Sequence, residues 1–336
     1  MNALRLSLLL PCLMIFAATT FSSATSFAHD LPGLMHDLTS PEIPESVKSF
    51  NRAYITEGDA QTRGVLVNAF IWPIPAQITV CFNKGPVELR TKIAAAMMEW
   101  SAASQGNVTF AFGGQIDPSN GRPQTFKECD GITHYNIRIG FVRGGGHWSQ
   151  IGTMSDAVFP ENSMNLDFDT RPVPDDQTIK ELTEHETGHA VGFHHEHQSP
   201  ASPCTKWNWD KILTSYQWPG STLEEKKKSM HFNMERLKDE VLSTGQHAYT
   251  YTAYDNRSIM HYSFPPAMFT DGDPEHCSIV QPPDLSPTDK QAMKDAYRSR
   301  PNNGQRLRSI DTLLGAKRFS GFRDLLNQQR QLYPKD

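Results

Sequence analysis

Polar and apolar residues alternate over 77–82 with the period of two that a half-buried strand requires. Over 88–104 the apolar positions Leu89, Ile93, Met97 and Trp100 recur at helical spacing, so a strand followed by an amphipathic helix is predicted. Residues 108–112 and 135–141 read as further strands, and Gly144-Gly145-Gly146 separates the second from a run over 147–152. Residues 164–168 (Met-Asn-Leu-Asp-Phe) form a short alternating segment, predicted to be an edge strand. A helix follows from about 176 to 191, capped by Asp175 or Asp176 and ended by Gly192. Beyond Pro200 the chain is irregular, with a charged helix near 223–242. The best-capped helix starts at Ser286, with Pro287 in its first turn and Asp289 three residues past the cap.

Both ends of the chain differ from this middle. Arg5 precedes a 13-residue apolar run, and small residues Ser26 and Ala28 lie just before His29, so residues 1–28 read as a secretory signal peptide. The run is too short to be a comfortable membrane span, and no integral membrane segment is expected in the mature chain. Residues 29–68 read as a pro-segment or N-terminal extension, 69–299 as the domain that carries the histidine-rich segment described below, and 300–336 as a basic tail. The tail holds eight Lys/Arg and three Asp/Glu. There Phe319, Phe322, Leu325 and Leu326 are helically spaced, which fits a packed terminal helix better than a membrane-surface or partner patch. The whole chain of 336 residues is 38% hydrophobic and 21% charged, which excludes a wholly disordered protein. A net charge of −5 supplies no basic field for nucleic acid. Export is expected to place the protein outside the cell, or in the periplasm of a bacterium.

Loss of the signal removes Cys12 and leaves Cys81, Cys129, Cys204 and Cys277. An even number in an exported chain implies two disulfides, with three connectivities to choose from. Cys81–Cys129 and Cys204–Cys277 are preferred, because each pair lies on one side of the segment described next.

That segment runs Thr183-Glu184-His185-Glu186-Thr187-Gly188-His189-Ala190-Val191-Gly192-Phe193-His194-His195-Glu196. On a helix, His185 and His189 lie about 40° apart around the axis and about 6 Å along it, so both imidazoles can reach one metal ion. Glu186 is rotated about 100° further, poorly placed as a ligand and well placed beside a metal-bound water. His195 would lie about 240° away on a continued helix, so the helix must stop and the chain turn back. Gly192 sits in that gap and can adopt the left-handed conformation that ends a helix. A structural metal site would leave Glu186 unexplained, whereas three His ligands leave a fourth position for water. His194 and His197 are read as surface groups or as supports behind the ligands.

These residues follow the pattern His-Glu-x-x-His-x-x-Gly-x-x-His, and the chain thereby resembles the metzincin zinc peptidases. Glu196 after the third His resembles the astacin family, and Ser258-Ile259-Met260-His261-Tyr262 resembles the astacin Met-turn. Softer likeness to microbial astacin-type peptidases extends over about residues 70–300. The resemblance implies an α+β fold: a twisted, mainly parallel mixed sheet with two long helices in an N-terminal subdomain, and an irregular, partly helical C-terminal subdomain across the cleft. It implies one catalytic Zn(2+) on His185, His189 and His195, with Met260 packed beneath it and Tyr262 stabilising the oxyanion. It also implies that Glu196 contacts the mature N-terminus, and that Met164, Asn165 and Leu166 belong to the edge strand that pairs with substrate. Glu57-Gly58-Asp59 resembles the pro-segment motif in which Asp59 would occupy the water site of the zinc, but the flanking residues match poorly and a solvated Gly-Asp turn is the preferred reading.

The expected reaction is endopeptide hydrolysis by a zinc-activated water with Glu186 as general base. The partner is a peptide or protein substrate, and the enzyme is expected to be a monomer. The rivals are a catalytically silent protein that holds peptides in the same cleft, and a zinc hydrolase of a non-peptide substrate.

Overall fold

The computed structural model describes residues 66–67, most of 70–298 and several positions between 307 and 331, and among these its named elements are seven strands, six α-helices and three short 3-10 helices. The signal segment, most of 29–68 with Asp59, and residues 235–248 lie outside the described residues. The strands are β1 (Leu66–Val67), β2 (Ala76–Phe82), β3 (Val108–Ala111), β4 (Ile137–Gly140), β5 (Trp148–Ser149), β6 (Met164–Asn165) and β7 (Tyr249–Thr250). The helices are α1 (Val87–Ala103), α2 (Asp176–Ala190), α3 (Trp209–Ser215), α4 (Leu223–Met234), α5 (Pro287–Ala296) and α6 (Arg323–Gln331). The fold is therefore α+β, and most predicted elements recur within a residue or two. Within the tail, the α6 residue Leu326 and the neighbouring Ile310 are buried, and Arg330 pairs with Asp311, so these positions pack rather than stand free.

Five strands form one sheet in the order β3-β2-β4-β6-β5, and β1 pairs separately with β7. Neighbours β3, β2, β4 and β6 run parallel, with Val80 opposite Ile137 and Ile139 opposite Met164. Only β5 is antiparallel, with Trp148 opposite Asn165. This corrects the expected edge: Met164 and Asn165 lie inside the sheet, and Trp148–Ser149 forms its end. A short alternating pattern reports which side chains face the core, and it is blind to whether one or both strand flanks are hydrogen-bonded.

The apolar stripe of α1 explains its position. Ile93, Ala94, Met97 and Trp100 are buried, and they pack in one core with Ile78, Val80 and Phe82 of β2, Ile137 and Ile139 of β4, and Ile179 and Leu182 of α2. A second cluster gathers Trp207, Ile212, Trp218, Met230, Phe264 and Phe269 around Cys204 and Cys277. Disulfides join Cys81 to Cys129 and Cys204 to Cys277, as preferred from the sequence. The first tethers β2 to the segment ahead of β4, and the second closes the later cluster.

Candidate metal centre

Helix α2 is the platform of the site. Asp175 caps it by accepting from the Thr178 backbone N–H at 2.8 Å, and Gly192 ends it at φ +105°. The chain then folds back: Phe193 N donates to Gly188 O at 2.9 Å, and Glu196 N to Met260 O at 2.9 Å. Two long-range contacts hold the helix end, because Trp72 Nε1 donates to Ala190 O and Tyr297 Oη donates to Val191 O, both at 2.8 Å. These satisfy carbonyls that a helix terminus otherwise leaves open.

The reversal brings together the three histidines that the spacing singled out. Ligand-capable atoms of His185, His189 and His195 all lie within 4.8 Å of one another, and all three residues are buried. The Nδ1 atoms of His185 and His189 each lie 2.7 Å from a backbone carbonyl, of Ile259 and Phe193 respectively. A carbonyl cannot donate, so each Nδ1 carries the proton and each Nε2 keeps its lone pair. His189 Nε2 and His195 Nε2 are 3.0 Å apart, near the separation of about 3.3 Å expected for two nitrogens on a tetrahedral zinc with bonds of about 2.0–2.1 Å.

Burial favours the neutral form of these rings. It depresses His185 to about 4, and drives His189 and His195 well below the ordinary histidine range, helped by mutual repulsion. Burial likewise lifts the Glu186 carboxyl well above its usual range. Glu186 Oε2 is buried and has no hydrogen-bond partner. A carboxylate oxygen so placed, one residue from a cluster of three neutral imidazoles, suits a metal site with a coordinated water, since both would supply what the orphan lacks.

Tyr262 and Met260 arrive from the opposite segment. The Tyr262 ring centroid is 4.0 Å from that of His195 and 5.6 Å from that of His185. Met260 lies under α2, so close that a Cβ on Gly188 would stand 2.2 Å from Met260 Sδ and 2.9 Å from Trp100 Cζ2. Met260 belongs to the first apolar cluster and Tyr262 to the second, so this turn joins the two. Gly188→Ala should therefore destabilise the fold by about 1–3 kcal/mol through overpacking. The roughly 1 kcal/mol an alanine gains in a helix offsets part of that cost, leaving a net loss of up to about 2 kcal/mol, and a lowered thermal midpoint by calorimetry is the check.

Some supporting contacts escaped sequence reasoning. Asp289, read only as the third residue of a capping box, also accepts from Ser258 Oγ at 2.6 Å and Ile259 N at 2.9 Å, and so clamps the Met260 turn to α5. The signal for its cap was local; its second task has none. Of the two readings for His197, surface group or support behind the ligands, the structure favours the second: it is buried, and its ring stacks on Tyr262 at 5.1 Å and His195 at 5.4 Å. His194 is also buried and stands outside the ligand cluster. Glu196 Oε1 accepts from Asp255 N at 3.0 Å, so its side chain braces the segment ahead of the Met260 turn.

No family model matches the chain, and no curated protein matches it. A solved structure of myroilysin is similar at 29% identity and a TM-score of 0.55, over 70% of this chain and all of that one. A second myroilysin structure shares 29% identity over 72% of this chain and 92% of that chain, with a TM-score of 0.46. The first likeness and the buried histidine triad together support a metalloprotease. Among the described residues no helix is long and apolar enough to cross a membrane.

Proposed function

We propose that the chain is a secreted zinc endopeptidase of astacin-like type, made with a signal peptide and a pro-segment. The observation that carries this reading is the pairing of a buried three-histidine cluster with the buried, unpartnered Oε2 of Glu186. His185, His189 and His195 would hold the ion, and zinc in that position supplies Lewis acidity that polarises a carbonyl and acidifies water.

The remaining chemistry belongs to the protein. Glu186, its carboxyl made more basic by burial, accepts the proton of the attacking water and returns it to the leaving amine. Tyr262, its ring tilted against that of His195 and 4.0 Å from it, presents its hydroxyl to the developing oxyanion. Met260 holds the floor of the site from below, and Glu196 braces the segment that leads into it. An extended peptide would add to the last strand of the sheet, Trp148–Ser149, which packs on α2. In the full chain Trp148 and Ser149 are 3% and 4% exposed, and Glu186 is 4% exposed, so this reading requires an opening step before substrate enters.

The experiment is cleavage of an internally quenched peptide by the protein recovered from culture medium, with chelation and zinc add-back. Cleavage that disappears with 1,10-phenanthroline and returns with one equivalent of zinc is expected. Peptide binding without cleavage in the zinc-loaded, processed protein would instead identify the silent binding module.

A further inference from the structure

Five hydrogen bonds converge on the loop that leads into the last strand. The alternation of residues 164–168 sends Met164, Leu166 and Phe168 into the core, all of them buried. Asn165 and Asp167 therefore project from the opposite face. Asn165 is 0% exposed. Its Oδ1 accepts from Val142 N at 2.8 Å, and its Nδ2 donates to Val142 O at 3.2 Å and Gly146 O at 2.6 Å. Asp167 Oδ2 accepts from Gly144 N at 2.8 Å and Gly146 N at 3.3 Å. The loop they hold is Val142-Arg143-Gly144-Gly145-Gly146, and β5 begins two residues after it.

Three successive glycines give this loop more conformational freedom than any other composition would. Gly144 to Gly146 have no side chains with which to anchor themselves in the core. Within the loop one turn bond forms, Gly145 N donating to Val142 O at 3.1 Å; what fixes that turn against the sheet are the side chains of two polar residues, on β6 and just beyond it. The strand they steady is the only antiparallel strand of the sheet, and it packs against the helix that carries His185 and His189.

We propose that Asn165 and Asp167 are positioning residues for peptide binding: by pinning the 142–146 backbone they hold Trp148–Ser149 in the register to which an extended peptide adds. This rests on the peptidase reading for the identity of the ligand, and on the hydrogen bonds above for the mechanism. The polar positions of an alternating strand are thus placed to organise the neighbouring loop, while its apolar positions serve the core.

The test uses the protein as it is recovered from culture medium, comparing wild type with Asp167→Ala, Asp167→Asn and Asn165→Leu. Asp167→Ala is expected to raise KM for peptides long enough to span the site by about five- to tenfold, with kcat within about twofold, the signature of lost uniform binding. Asp167→Asn retains an acceptor oxygen and should restore KM. Amide hydrogen exchange over 142–149 should quicken in Asp167→Ala and in Asn165→Leu. In metal-stripped protein, a fluorescent peptide of the same length should bind more weakly to Asp167→Ala by the same factor. Unchanged KM and unchanged peptide affinity in Asp167→Ala would overturn the proposal, as would a loss of kcat alone. If the metal-stripped protein binds peptide in this Asp167-dependent way but zinc-loaded wild type cleaves nothing, the positioning role stands and the peptidase reading falls.

Discussion

Glu186→Gln is expected to lower peptide turnover by a factor of about 10³, within the 10²–10⁴ that a positioned acid–base residue contributes. Bound zinc should stay near one ion per chain. The substitution keeps the shape of a side chain that is 4% exposed and whose Oε2 has no hydrogen-bond partner, so the fold has little to lose. The amide cannot accept and then release a proton, and that is the whole of the defect. Because the proton is needed in the transition state, kcat should carry the loss and KM should move little. Metal content by atomic absorption beside steady-state kinetics separates the two effects. A variant that turns over within threefold of wild type would remove Glu186 from the role of base.

His189→Ala is expected to do the opposite kind of damage. In the proposed site His189 would be the middle ligand: its Nδ1 is fixed by Phe193 O at 2.7 Å and its Nε2 faces that of His195. Removing it leaves two nitrogens, too few for a zinc site with one open position. Zinc content should fall below about a tenth of an ion per chain, and activity should fall to background with it. A ligand at a thousand times its dissociation constant stabilises a fold by about 4.1 kcal/mol, and that zinc-dependent rise in thermal midpoint should vanish in the variant. His194→Ala is the control. Its residue is also buried yet stands outside the cluster, so zinc content should be retained.

The two variants also distinguish the readings that share this pocket. A silent peptide-binding protein would lose nothing measurable with Glu186→Gln, and a hydrolase of some other substrate would lose its activity toward that substrate alone. Only a peptidase loses peptide cleavage through both routes, once with the metal in place and once without it.

The centre of the site was legible because its determinants are local. The four-residue spacing of His185 and His189 fixes their common side through the helical period alone. Gly192 announced the reversal that returns His195, and it takes the positive φ expected of it. Ser286 and Asp289 form the reciprocal cap that their spacing predicted. The disulfides followed from an even cysteine count and from the side of the motif on which each pair lies.

What remained hidden depends on which distant segments touch. The alternation of 164–168 correctly separated core-facing from polar positions, but strand order is decided by long connections and by which sheet face the helices cover. Met164 and Asn165 therefore turned out to lie inside the sheet, with Trp148–Ser149 beyond them. Asp289 reaches Ser258 across 31 positions, and Tyr297 reaches Val191 across 106. His197 became a stacking partner of Tyr262 only because the chain folds back twice, once at Gly192 and again at Met260. By itself, then, the sequence determined which side chains can bind the metal, since helical period and glycine stereochemistry act within a dozen residues. The tertiary structure decided which strand ends the sheet and what holds the ligands still, because close packing of remote segments has no periodic trace in the chain.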